Sequence, residues 1–178
     1  NREAAVAEAR QLPEGKMRKI AEKILERGRK AVKSPAQASE KQTEATLTEY
    51  KASAAKVGWG RPAYNFLPEP PFLLEAGGEI FATGIYGHAP ASHRYDLGGE
   101  WKTFRGKAGM AAGKRGSVRF HIKCDGKTLW KSKVIKGGGL VDYSIDVSGV
   151  KTLELVVDPT SDGTGSDWGL WLEPKLGR

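Results

Sequence analysis

The sequence predicts a mainly β protein, an antiparallel β-sandwich carrying an N-terminal α-helical extension. Two observations carry that expectation. Residues 1–56 hold 13 Lys/Arg, 8 Glu, no Asp, no Trp, no Phe and only two Gly, whereas the remainder holds all five Trp, all five Phe and 21 of the 23 Gly. The hydrophobic period changes with the composition, from about 3.6 near the start to 2 beyond Pro71. Three divisions follow: a helical extension over 1–57, a Pro-rich connector over 58–71 and a sandwich over 72–178.

In the extension, Met17, Ile20, Ala21, Ile24 and Ala31 fall near helical spacing with Lys, Arg and Glu on the other face. Pro13-Glu14 suits a helix start, and Ser34-Pro35 reads as an N-cap followed by proline in the first turn. A second helix is expected from Pro35 to about Lys56, with Leu47, Tyr50, Ala54 and Val57 as its apolar stripe. The extension reads as a solvated arm outside the sandwich core, with partner docking through residues 1–56 as the sharper alternative. In the connector, GWGRPAYNFLPEPP, four prolines in fourteen residues forbid regular structure. Its Trp59, Tyr64, Phe66 and Leu67 read as packing anchors.

The sandwich is built from short strands. Val118, Phe120, Ile122 and Cys124 alternate with Arg119, His121 and Lys123, the mark of a strand with one buried face. Asp125-Gly126 then signals a tight hairpin, returned by 127–135. Tyr143, Ile145 and Val147 alternate again, as do Leu153, Leu155 and Val157. Segments 79–85, 94–97, 101–110 and 168–173 bring the total to about eight strands, spaced as in a sandwich or barrel.

Composition excludes several function classes. No apolar run approaches the ~20 residues of a membrane-spanning helix. A single cysteine, Cys124, and three histidines exclude a disulfide framework and a multi-cysteine metal site. The net charge is +8, yet the excess sits where aromatics are fewest, which counts against nucleic acid. There is no nucleophile elbow, HExxH or phosphate loop, and Cys124 reads as a small buried hydrophobe, so no enzyme is expected. With no initiator Met and no signal-like start, the chain reads as a piece of a longer parent.

Several segments together resemble one family. GIYGHAPASHRYDL (84–97), WKTF (101–104), Gly109, GSVRFHIKCDGKTLWKS (116–132), DVSGVKTLELVVD (146–158), Asp162-Gly163, Asp167, Trp171 and Pro174 stand in the order and spacing of NPCBM domains, related to carbohydrate-binding module family 51. The similarity spans about residues 75–176. It implies a galactose-binding-like sandwich and a non-catalytic, sugar-recognising module attached to secreted or surface proteins. The implied location is secreted, periplasmic or cell-surface.

Sugar recognition requires an aromatic ring against the C–H face of a pyranose and polar side chains for its hydroxyls. The expected site lies where 84–94 and 160–168 converge. There, Tyr86 or Trp168 stacks, His88 and Asp167 bond hydroxyls, and Arg94 bonds the ring or an axial hydroxyl. Trp130 and Trp171 read as core. The Asp-rich run 158–167 offers Asp158 and Asp162 as candidate ligands of a structural calcium, or else a loop rich in Asx turns. A galactose-type glycan is the expected ligand; a protein-interaction or assembly module that keeps only the sandwich is the alternative, and a basic binder of nucleic acid or anionic polysaccharide, with affinity that collapses with salt, a third.

Overall fold

In the computed structural model, backbone is described for residues 1–178 and side chains for all but residues 28–30. Two antiparallel sheets pack face to face. The first runs β12 (Leu140–Asp146), β8 (Thr103–Met110), β14 (Trp168–Gly177), β6 (Gly84–His88) and β3 (Ala63–Tyr64), with β1 (Glu44–Thr46) also paired to β14. The second runs β10 (Lys127–Lys131), β9 (Ser117–Cys124), β13 (Thr152–Pro159), β7 (Ala91–Asp96) and β2 (Ala54–Lys56), with β11 (Ile135–Lys136) also on β9. A separate hairpin joins β4 (Leu74–Ala76) to β5 (Glu79–Phe81).

The alternation along β9 behaves as its sequence requires. Val118, Phe120, Ile122 and Cys124 are buried, while Arg119, His121 and Lys123 face outward. Asp125 and Gly126 both take positive φ, the geometry of a two-residue hairpin turn, and β10 returns from it. Between the sheets, Trp171 packs edge-on against Phe120 at 5.0 Å and Tyr143 at 5.5 Å, with Trp130 at 6.4 Å, so Trp130 and Trp171 serve the core. Cys124 is buried among them, and burial pushes its thiol up to about 11, which leaves no thiolate for catalysis near neutrality.

The extension departs from its expectation in the second half. Two helices form, α1 (Arg2–Ala9) and α2 (Glu14–Lys30), but no helix spans 35–56. That stretch instead makes a 3₁₀ turn at Pro35–Gln37, strand β1, a second turn at Leu47–Glu49 and strand β2. It crosses from one sheet to the other, because β1 pairs with β14 and β2 with β7. Leu47 and Tyr50 are buried in the main core, and the Trp101 indole donates to the Pro35 carbonyl at 3.2 Å. The spacing of Leu47, Tyr50, Ala54 and Val57 imitates a helical stripe. Tertiary pairing decides otherwise: Thr43 and Thr46 suit extended backbone, and sheet edges stand open to receive it.

The helices are not a free arm either. Ala5, Val6, Ala9, Ile20 and Ile24 form a satellite core with Phe72, Leu73 and Ala82, so the amphipathic stripe is spent on the chain's own sandwich.

Two measurements check this architecture. Leu47→Ala should cost about 2–5 kcal/mol, lowering the melting temperature by roughly 5–15 °C, whereas a solvated arm would give no shift. The second concerns His93, fully buried with neither ring nitrogen hydrogen-bonded and Tyr64 edge-on at 5.8 Å. Burial drives its pKa down to about 4. The unfolded imidazole takes up a proton below about 6.5 and the folded one does not, so stability present above that pH is lost as pH falls toward 4. The loss should reach roughly 3 kcal/mol, read as a falling urea midpoint, and His93→Gln should remove that share of the pH dependence.

Candidate functional site

One end of the first sheet collects aromatic and polar side chains. Trp168 opens β14 and stands directly across from His88 at the end of β6. Both belong to the outer face of the sheet, with Tyr86, Leu170 and Leu172, because strand side chains alternate. The connector lies over this face. Its close approach depends on Gly58: a Cβ there would stand 2.5 Å from the Ala89 carbonyl oxygen. The Gly58 N–H donates to the His88 carbonyl at 2.8 Å, and the Tyr86 hydroxyl donates to the Trp59 carbonyl at 3.2 Å. Gly60 then turns the chain with φ +74°.

These contacts fix Trp59 on the surface. Its ring lies 5.5 Å from Trp168 at an interplanar angle of 34° and 6.4 Å from His88, and the residue remains 46% exposed. Trp168 is the buried member of the pair, at 4% exposure, with Tyr86 edge-on at 5.0 Å and the Lys114 ammonium 3.6 Å above its ring. Trp59 also lines a cleft of about 470 Å³ with Gly60, Arg61, Pro62, Phe66 and Pro68. That volume lies within the ordinary range for small-ligand sites.

The residues expected from sequence divide accordingly. Tyr86 and Trp168 reach the site but are buried, so neither presents a face for stacking; Trp59, read from sequence as a packing anchor, presents it. Its Gly-Trp-Gly setting was the available signal, since glycines on both sides bury little of a ring. His88 is nearly buried, and its Nδ1–H donates to the Ala89 carbonyl at 2.9 Å, which leaves Nε2 as the acceptor of the neutral ring. Asp167 is fully buried. Its Oδ1 accepts from the Ser117 N–H at 3.0 Å, its backbone carbonyl accepts from Ala89 N–H at 3.0 Å, and burial raises its pKa. It clamps the loop, and Gly116 makes room for it, since a Cβ there would fall 2.2 Å from Oδ1. Arg94 does not join the cluster: it projects from β7 on the outer face of the second sheet.

Asp158 and Asp162 are engaged by different partners. Asp158 holds His121 Nε2 at 3.0 Å. Asp162 accepts from Thr160 Oγ1 at 2.6 Å and Ser117 Oγ at 2.7 Å, and these hydroxyls lower its pKa. Among the described residues no group of three or more His, Cys, Asp or Glu gathers as a metal site, and a hard cation wants six to eight oxygens.

The sequence pattern of the NPCBM/NEW2 domain matches residues 43–177. The chain belongs to the NPCBM/NEW2 family. The match begins at β1, as the pairing of β1 and β2 with the two sheets requires. Among solved structures, the CBM51 domain of GH95 from Clostridium perfringens, in complex with methyl-galactose, is 26% identical with a TM-score of 0.68, covering 75% of this chain and 99% of that one. The CBM51-2 and INT domains of ZmpB from the same organism, in complex with GlcNAc, are 23% identical with a TM-score of 0.67, covering 77% of this chain and 32% of theirs. The galactose-binding-like sandwich is thus the shared fold. A protein of Renibacterium salmoninarum carrying the name endo-alpha-N-acetylgalactosaminidase is 29% identical over 106 residues, which span 58% of this chain and 7% of that protein.

The two tryptophans should separate in a melting experiment. Trp168→Ala empties a buried site and should cost about 3–5 kcal/mol, roughly 10 °C or more in melting temperature. Trp59→Ala should cost about 1 kcal/mol. Equal losses would contradict the burial difference.

Proposed function

We propose that this NPCBM/NEW2 domain is a non-catalytic carbohydrate-binding module whose sugar platform is Trp59. The carrying observation is a half-exposed indole held on both sides by backbone contacts and bordering a cleft. A pyranose laid with its C–H face on that ring replaces exposed apolar surface with contact, while Arg61 donates to hydroxyls from the cleft wall and His88 Nε2 accepts at the rim. Tyr86, Trp168 and Asp167 act behind this surface by holding its backbone. A galactose-type or N-acetylhexosamine glycan is the proposed ligand class, supported by the sugars bound in the two CBM51 relatives. The proposal extends to a multidomain parent acting outside the cytoplasm, in keeping with the short share of the Renibacterium protein that the chain matches.

The assembly-module alternative needs a free apolar stripe on residues 1–56, and Ile20 and Ile24 of that stripe lie in the satellite core. It keeps less support for that reason.

Calorimetry with methyl-galactoside and GlcNAc, alongside tryptophan fluorescence, tests the platform. The intact chain should bind one of them weakly with a change in indole emission. Trp59→Ala should abolish binding while the domain stays folded. Binding that survives Trp59→Ala would move the site elsewhere, and a chain that ignores every sugar would favour the assembly module.

A further inference from the structure

The two outer faces of the sandwich are unlike. The first sheet is covered by the connector and the β4–β5 hairpin, with Leu67, Leu74 and Phe81 packed on Tyr86, Leu170 and Leu172. The second sheet has no such cover, and its outer face is cationic. We propose that this open face is a docking surface for an anionic polysaccharide, one bearing carboxylates or sulfates along its length.

The register sets the charges in rows. Lys56, Ser92, Val156, His121 and Lys131 align across β2, β7, β13, β9 and β10. In the adjacent row Arg94, Glu154, Lys123 and Thr128 align across four of the same strands. Strands lie about 4.8 Å apart, so the first row crosses roughly 19 Å of sheet. With Arg119, which faces Asp158 across the β9–β13 ladder, the face carries five Lys and Arg against the carboxylates of Asp96, Glu154 and Asp158. Among the described residues none of these five cations has a carboxylate within 4 Å, and Asp158 is engaged by His121. His121 reports the resulting field: burial lowers its pKa, Asp158 raises it, and Lys131, Lys123 and Arg119 lower it further. A groove of about 220 Å³ bordered by Lys56, Ser92, Lys123, Glu154, Val156 and Asp158 lies within the face.

Unpaired like charges held on a rigid sheet repel one another, and a polyanion relieves that repulsion with release of its counterions. The chemistry favours a polysaccharide over nucleic acid. Ser92 and Thr128 supply hydroxyl partners beside the cations, and these rows carry no Trp, Tyr or Phe ring for base stacking, the His121 imidazole being held by Asp158. The surface is independent of the Trp59 site, which belongs to the opposite sheet.

The test titrates the intact chain with heparin, polygalacturonate, an uncharged galactan and a DNA duplex. Heparin or polygalacturonate should bind, and affinity should fall about tenfold or more between about 50 and about 200 mM salt. The triple variant Arg94→Gln, Lys123→Gln, Lys131→Gln should lose that binding and keep its melting temperature, while Trp59→Ala should retain it. Should the triple variant fold poorly, Lys131→Gln alone should still weaken binding and flatten its salt dependence. The proposal is overturned if neither polyanion binds at low salt, if the glutamine variants bind as the wild type does, if DNA binds as tightly as the polysaccharides, or if Trp59→Ala removes polyanion binding. In the last case one site would serve both ligands.

Discussion

The structure depends on the two-sided demand placed on β14. Its first five residues, Trp168 to Leu172, alternate between two environments, each dry. Gly169 and Trp171 face the interior, where a Cβ at Gly169 would fall 2.7 Å from Val157, and Trp171 meets Phe120 and Tyr143. Trp168, Leu170 and Leu172 face outward and would be exposed apolar surface in a bare sandwich. The connector and the β4–β5 hairpin exist in this fold to cover them. Burying both faces is what removes the usual polar alternation from this strand.

That cover brings the recognition surface with it. The prolines predict no regular structure, yet the connector still forms the two-residue strand β3 on β6; elsewhere it satisfies its backbone through single contacts to His88, Tyr86 and Gly84. A segment held this way follows the sheet closely at Gly58 and turns away at Gly60. The tryptophan between them has one flank against Trp168 and the rest toward water. Recognition therefore sits on a loop, while the rigidity behind it comes from buried Trp168, Tyr86 and Asp167. The opposite sheet needs little cover, because most of its outward positions are polar, and its cationic face follows from the same alternation that builds the core.

Asp167 and His93 show how differently the interior treats polar groups. Asp167 keeps a carboxylate oxygen bonded to backbone and tethers the loop ahead of β14. Among the described residues His93 has no hydrogen-bond partner, only the edge-on ring of Tyr64, and its neutral imidazole survives because protonation is too costly there. One supports the geometry of the site; the other limits stability toward acid.

The sequence by itself determined the sandwich, its strand alternation, the 125–126 hairpin turn and the core roles of Trp130 and Trp171. Those features rest on local rules: period two, turn stereochemistry and the burial of large aromatics leave little freedom. Tertiary structure alone decided the rest. Residues 35–56 carry a spacing compatible with a helix, and only the unpaired edges of two distant sheets made them strands. Trp168 follows a loop rich in Gly, Ser and Asp, and only the connector's path over it put the ring inside and left Trp59 outside. Arg94 is six residues from His88, yet β6 and β7 belong to opposite sheets, so the chain folds the two apart. Exposure is a property of what lies on top of a residue, and what lies on top comes from elsewhere in the chain.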